Sequence, residues 1–351
     1  MLDWIAQKFG PIPKPKRSAA FALAEIIGAP GVAEIESAGA IRFQADGDTG
    51  RPDVHNANQE NVARQMSSDF NPAAGARNPA FLLHLGDVIY GAGKDQLYRD
   101  EFYRAYMEYP GKIIALAGNH DGEVFTKTDP VPLKSFLDNF CSATASVPPV
   151  ASQVRIFRET MTQPGVYYLV DCPFADIVCL YSNIAEGPGS IVGANNDRQQ
   201  ELWLAATLKT IAQKRKNGAR KALLFAVHHP PFSNGGHSGS SQMLSSFDDA
   251  FKQAGIQPDA VLSGHAHNYQ RHTRRAGNAA VPFIVAGTGG HNDSAVDAAT
   301  GQVVNGASFD KSMKGFGYLM VTASAAELQF DFFDTTNGGK KPFDSVSVQL
   351  R

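Results

Sequence analysis

Five short segments of this chain put groups that bind metal ions or carry protons directly behind apolar runs. Gly47-Asp48-Thr49-Gly50 follows Ile41 to Ala45, Gly86-Asp87-Val88-Ile89-Tyr90 follows Phe81 to Leu85, and Gly118-Asn119-His120-Asp121 follows Ile113 to Ala117. His228-His229-Pro230-Pro231 follows Leu223 to Val227, and Gly264-His265-Ala266-His267 follows Val261-Leu262. A glycine or a proline-bounded turn beside each polar group lets the backbone bend sharply, so the side chain can point into a shared cleft. One aspartate behind a strand is ordinarily a cap or turn residue; the ordered series is what carries weight. Carboxylate, amide, phenol and imidazole without thiolate suit iron, zinc, manganese or magnesium, and they are too many for one tetrahedral ion. Two ions about 4 Å apart, sharing one carboxylate, would use the set.

The elements that must hold these groups are short and alternate in kind. Runs at Ala40 to Ala45, Ala80 to Leu85, Lys112 to Ala117, Val166 to Val170, Ile177 to Tyr181, Ala222 to Val227, Ala260 to Leu262 and Pro282 to Ala286 have the length and β-branched or aromatic content of strands. The clearest helix covers about 197–216, where Leu204, Leu208 and Ile211 repeat at helical spacing beside a charged face. Further helices are expected over about 57–68, 96–108 and 243–254. Strands alternating with helices, then a strand-rich end from Tyr318 to Leu350, predict a layered α/β fold with helices outside, and ligand sites of such sheets lie beyond the strands' carboxyl ends. Residues 1–38, with Pro11, Pro13, Pro15 and Pro30 and little sustained periodicity, read as an N-terminal extension that packs on the core or frays; 39–351 read as one catalytic domain.

Composition narrows the partners. The 351 residues are 43% hydrophobic with a formal charge of −2, so no basic field draws nucleic acid or an anionic membrane. No clear nucleic-acid or membrane partner is expected. Arg271, Arg274 and Arg275 form too short a cluster to read as more than a solvated face. Cys141, Cys172 and Cys179 lack metal-type spacing and an even count, and read as reduced structural thiols. A faint export signal at Lys14 to Ala24 is interrupted by Glu25; a cytoplasmic location is expected, with secretion or a periplasmic location left open.

The motifs resemble those of the calcineurin-like metallophosphoesterases and, within them, the purple acid phosphatases, whose pattern runs GDxG, GDxxY, GNH followed by an acid, VxxH and GHxH. Four match outright, and the fourth departs in having Phe225 where the pattern has Val. Gln200-Glu-Leu-Trp-Leu204 and the run Gly264 to Arg271 also look like the family. The resemblance implies a metallo-dependent phosphatase fold, a four-layer α/β/β/α sandwich with two mixed β-sheets. It implies that Asp48, Asp87, Tyr90 and His267 hold one metal and Asp87, Asn119, His228 and His265 the other, Asp87 bridging. A phenol ligates at neutral pH only beside a strongly acidic cation, so Fe(III) is expected in the Tyr90 site and Fe(II), Zn or Mn in the other. Asp46 is the alternative ligand to Asp48, which the GDxG form favours; His229 would support or pack beside His228.

His120 would contact phosphoryl oxygens or protonate the leaving group, with Asp121 orienting its ring, and His237 is a second candidate acid or substrate contact. His55, His84, His272 and His291 read as structural. The expected reaction is hydrolysis of phosphate esters, most of all monoesters, by a metal-held hydroxide. The alternatives are a phosphodiesterase and an inactive metal-binding interaction module.

Overall fold

A computed structural model of the chain describes residues 10–51, 56–91, 93–124, 131–182, 187–218, 220–277, 279–296, 300–338 and 340–350. Its strands, in chain order, are β1 (Phe21–Ala22), β2 (Ala40–Asp46), β3 (Phe81–His84), β4 (Lys112–Ala115), β5 (Tyr168–Asp171), β6 (Ala175–Leu180), β7 (Ala222–Val227), β8 (Asn234–Gly235), β9 (His237–Ser238), β10 (Ala260–Ser263), β11 (Tyr269–Ala276), β12 (Ala279–Ala286), β13 (Val303–Val304), β14 (Ala307–Met313), β15 (Gly317–Ser324), β16 (Glu327–Asp334) and β17 (Asp344–Gln349). They form a nine-stranded mixed sheet in the order β1-β5-β6-β7-β10-β12-β11-β14-β13 and a six-stranded mixed sheet in the order β17-β16-β15-β2-β3-β4. Asn234–Gly235 and His237–Ser238 make a separate hairpin.

The side-chain period of two explains the layering. Along β7, Ala222, Leu224 and Ala226 join one apolar core, while Leu223, Phe225 and Val227 join a second. In β6, Ile177 and Cys179 face the first and Val178 and Leu180 the second. The second core is completed by Leu204, Leu208 and Ile211 of helix Gln199–Lys216 and by Met243, Leu244, Phe247 and Phe251 of helix Ser241–Ala254. The first core is shared with the other sheet through Ile41, Phe43, Leu82, Ile114, Leu319 and Val321. Helix Ala57–Ser67 adds Val62, Ala63 and Met66. The result is a four-layer α/β/β/α sandwich, and strands covered on both faces read as unbroken apolar runs, as Ala222 to Val227 does.

Register brings the motif ends level. β2, β3 and β4 are parallel, with Asp46 opposite His84 and His84 opposite Ala115. β6, β7, β10 and β12 are parallel, with Val227 opposite Leu180, Leu262 opposite Ala226 and Ser263 opposite Val285. All five motifs therefore leave their sheets at carboxyl ends.

Two segments differ from expectation. Residues 23–38 form two helical stretches despite weak periodicity, joined at a kink where Gly28, at φ 79° and ψ 157°, is non-helical and Pro30 follows; Leu23, Ile26 and Ile35 are buried, and the preceding β1 pairs with β5. In place of one helix over 96–108 there is a short turn, Asp95–Leu97, and then a wider π-helical turn, Tyr98–Tyr103. That winding buries Glu101, Phe102 and Tyr103 in succession, which matters for the site below. The three cysteines are free and buried. Among the described residues no helix is long and apolar enough to cross a membrane.

Candidate metal centre

Where β2, β3 and β10 end, the chain spends backbone energy on pointing a side chain. Asp48, Asp87 and His265 adopt left-handed backbone conformations, at φ 60°, 53° and 67°. Such geometry in a residue with a side chain costs about 1–3 kcal/mol and persists where surroundings over-determine it. Here they do: Asp48 N–H donates to Gly86 O at 2.9 Å, and His265 N–H donates to Asp48 Oδ2 at 2.7 Å. His120 N–H donates to Asp87 Oδ1 at 2.9 Å. The motif glycines are needed for closeness: a Cβ on Gly118 would fall 2.1 Å from Asp87 Oδ1, and one on Gly86 2.5 Å from His228 Nδ1.

The side chains converge. Ligand atoms of Asp87, His228 and His265 lie within 4.8 Å of one another. His228 Nε2 is 3.3 Å from Asp87 Oδ2 and 3.1 Å from Asn119 Oδ1, and His265 Nδ1 is also 3.1 Å from Asn119 Oδ1. Beside this group the Tyr90 hydroxyl lies 3.1 Å from His267 Nε2 and 3.4 Å from Asp48 Oδ1. His267 Nε2 is 3.4 Å from Asp48 Oδ1. Asp48, Asp87, Asn119, His228 and His265 are at most 2% exposed, and Tyr90 is 5% exposed.

Whether this pocket fits metal ions follows from its donors and acceptors. His228 Nδ1 donates to the Leu85 carbonyl at 2.8 Å, which leaves the Nε2 lone pair of the neutral ring facing the carbonyl oxygen of Asn119 and the Asp87 carboxylate. His267 Nδ1 pairs with Asn292 Oδ1, turning its Nε2 lone pair toward Asp48 and Tyr90. Acceptors so arranged repel one another unless positive charge lies between them. A proton on His228 Nε2 is one source of that charge, and a metal cation is another. Burial disfavours the charged form of His228, but Asp87 and Asp48 push it up to about 9. Burial would raise Asp87, yet the charges of His228 and His120 hold it well below the ordinary carboxylate range. Burial, then the charges of Asp87 and Asp48, push the Tyr90 phenol well above 10. The donor set fits two cations.

His120 and His237 both lie beside this pocket, and the partner expected for His120 is a different residue. His120 packs against Tyr90 with ring centroids 4.4 Å apart, and His237 lies 4.2 Å from His265 and 5.9 Å from His267. Asp121 does not orient the His120 ring. Its carboxylate accepts from the backbone N–H groups of Gly118, Val88 and Ile89 at 2.9, 3.2 and 3.3 Å, tying the β3 and β4 loops together. The carboxylate facing His120 Nδ1 is Glu123 Oε2, at 3.5 Å, from a side chain 1% exposed. A carboxylate three residues on, outside the motif, had no sequence signal.

Asp46 is fully buried, and burial followed by the Asp48 charge pushes it up to about 8. His229 stands behind His265, rings 4.1 Å apart, held through Nδ1 by Ser182 Oγ at 2.9 Å. His84 bonds Thr49 Oγ1 at 2.9 Å, and His272 packs between Phe232 and Phe309, both as structural residues. His291 instead enters the site and lies flat on the Tyr90 ring. It follows Gly287-Thr-Gly-Gly290 at the end of β12, the same strand-then-glycine signal as the five motifs. His55 lies outside the described residues. Glu101, delivered by the wider turn, accepts the Tyr90 N–H at 2.8 Å. Arg271 is paired with Asp344 and Asp310, and Arg274 with Asp248.

Residues 47–269 match the family model of the calcineurin-like phosphoesterases. No curated protein sequence matches the chain. Among solved structures it is similar to a purple acid phosphatase from seeds of yellow lupin, Lupinus luteus, at 16% identity and TM-score 0.60, with 88% of this chain and 54% of that one covered. The chain thus spans about half the length of the lupin protein. It is similar to GAP50, the anchor in the inner membrane complex of Plasmodium, at 12% identity and TM-score 0.60, covering 89% of each chain. A dimetal phosphatase from Danio rerio is similar at 12% identity and TM-score 0.51, with 89% of this chain and 99% of that one covered. At these identities the likeness is one of fold.

Proposed function

The chain belongs to the calcineurin-like phosphoesterase family, and we propose that it hydrolyses small-molecule phosphoric esters, monoesters foremost. The observation that carries this is the convergence of Asp48, Asp87, Tyr90, Asn119, His228, His265 and His267, all of ligand type, on one buried pocket. Asp48, Tyr90 and His267 would hold one ion, Asn119, His228 and His265 the other, and Asp87 both. A phenol so buried among carboxylates ionises only opposite a strongly acidic cation, which favours Fe(III) beside Tyr90; Fe(II), Zn or Mn suits the imidazole and amide side. When bound, the ions supply Lewis-acid activation of water and of the phosphoryl oxygens.

The chain's own residues then position and protonate. His120 packs on Tyr90 and His237 on His265, so a phosphoryl group bound there would meet imidazole N–H donors. Glu123 facing Nδ1 leaves His120 Nε2 to deliver a proton to the departing alcohol. Tyr90 in the ligand set, as in the purple acid phosphatases the motifs resemble, favours monoesters, and the engagement of Arg271 and Arg274 by carboxylates argues against a polynucleotide substrate.

The test is metal analysis and a visible spectrum of protein purified under air, with hydrolysis of an aryl phosphate monoester beside an aryl diester. Two metals, a visible band lost in Tyr90→Phe and a preference for the monoester are expected. A preference for the diester would overturn the substrate assignment, and protein that takes up no metal would overturn the centre.

A further inference from the structure

His291 has no place in the ligand set or among the proton carriers, yet it is built into the centre at several points. Its N–H donates to Asp48 O at 3.0 Å, its Nδ1 donates to the Gly50 carbonyl, and Gly289 N–H donates to Gly47 O at 2.8 Å. The turn that delivers it tolerates no side chain: a Cβ on Gly289 would lie 2.2 Å from Thr49 Cγ2, and one on Gly290, at φ 129°, 2.4 Å from Gln59 N. The loop after β12 is thereby fastened to the loop that carries Asp48. Fixed in this way, the imidazole lies on the Tyr90 ring with centroids 3.4 Å apart and planes 9° from parallel. His120 flanks Tyr90 at 4.4 Å and 37°, and Glu101 holds its backbone N–H.

We infer that His291 is a positioning residue for the tyrosine ligand: its ring clamps the Tyr90 phenol in the one orientation that sets the oxygen beside Asp48 and His267, and modulates the electron density of the phenolate by stacking. The inference rests on the reading of Tyr90 as a metal ligand. Its physical basis is the two-bond freedom of a tyrosine side chain. A hydroxyl at the end of a ring swings several ångströms for a modest turn about Cα–Cβ, and a flat neighbour in face contact blocks that swing while leaving the oxygen open. A carbonyl can only accept, so the bond to Gly50 fixes the proton on Nδ1 and keeps the ring from rotating.

Stack and hydrogen bond can be separated. His291→Phe keeps a flat ring and loses the donor; His291→Asn keeps a donor near Nδ1 and loses the ring. The full-length protein and both variants are loaded with iron and zinc, and the visible spectrum and the rate of metal loss to a chelator are recorded. Loss of the ring should speed release of the Tyr90-side metal by about tenfold or more, the usual size of effect for groups that orient ligands, and move or weaken the visible band; His291→Phe should stay near wild type in both. If His291→Asn matches wild type in band and release, or if His291→Phe fails as badly as His291→Asn, the clamp is refuted. A wild-type protein that binds two metals without a band removed by Tyr90→Phe would remove the iron assignment, and the chelator rates of zinc-loaded protein would then decide the clamp by themselves.

Discussion

Gly118→Ala tests the close packing on which the centre depends. Gly118 has an ordinary backbone, φ −92°, so alanine carries no conformational penalty there. The cost is contact: the new methyl would lie 2.1 Å from Asp87 Oδ1 and 2.3 Å from Asp87 N. Carbon contacts are comfortable at about 3.5 Å, so the Asp87 carboxylate must retreat by about 1 Å. It cannot retreat and still accept from His120 N–H at 2.9 Å while facing His228 Nε2 at 3.3 Å. A displacement of about 1 Å in a reacting constellation costs about 100-fold in turnover. Metal content after dialysis and initial rates of aryl phosphate hydrolysis measure the effect, with thermal unfolding as the check on the fold. Lowered metal occupancy and a rate down by about two orders of magnitude are expected. Wild-type occupancy and rate would show that Asp87 does not depend on the missing side chain, and the argument from close approach would fall.

Glu123→Gln should leave both metals bound and slow turnover by about tenfold or more, since His120 loses the carboxylate that orients it. Asp121→Ala should instead destabilise the protein by about 3 kcal/mol or more and deplete metal, because it strands the buried N–H groups of Gly118, Val88 and Ile89; equal behaviour of the two variants would contradict the separation of roles. His272, in β11, is pushed down to about 4 by burial, with Asp310 opposing, and its ring nitrogens have no hydrogen-bond partner among the described residues. The unfolded chain takes up this proton first, near 6.5, so the contribution is full above that pH and is lost as pH falls toward 4, by about 3 kcal/mol. His272→Phe, stacked between Phe232 and Phe309, should therefore gain stability at pH 5 relative to wild type in urea unfolding, and by more than it does at pH 7.5; an identical pH dependence would refute this.

Much of the centre was legible because its signals are local. An apolar run of strand length, then glycine, then a ligand-type side chain, records in consecutive residues a strand end, a bend and a donor. Even the left-handed conformations of Asp48, Asp87 and His265 have their sequence counterpart in Gly47, Gly86 and Gly264. The alternating burial of β7 and the periodic apolar positions of helix Gln199–Lys216 likewise follow from the intrinsic repeats of strand and helix.

What only the tertiary structure decided is which groups from distant segments meet. The segment Leu23–Ala38 kinks at Gly28, next to Pro30, and still buries Leu23, Ile26 and Ile35, while β1 just before it pairs with β5, a contact no local pattern encodes. His120 finds Glu123 rather than Asp121 because the Asp121 carboxylate is drawn under the loops by three backbone N–H groups. Glu101 reaches Tyr90 through a π-helical turn, and His291 reaches it across 200 residues of chain. Residue type and local bend are properties of neighbouring residues, so the sequence by itself determined which ligand-type side chains stand at the strand ends; orientation depends on which backbone groups compete for each polar atom, and that competition exists only once the two sheets have closed on each other.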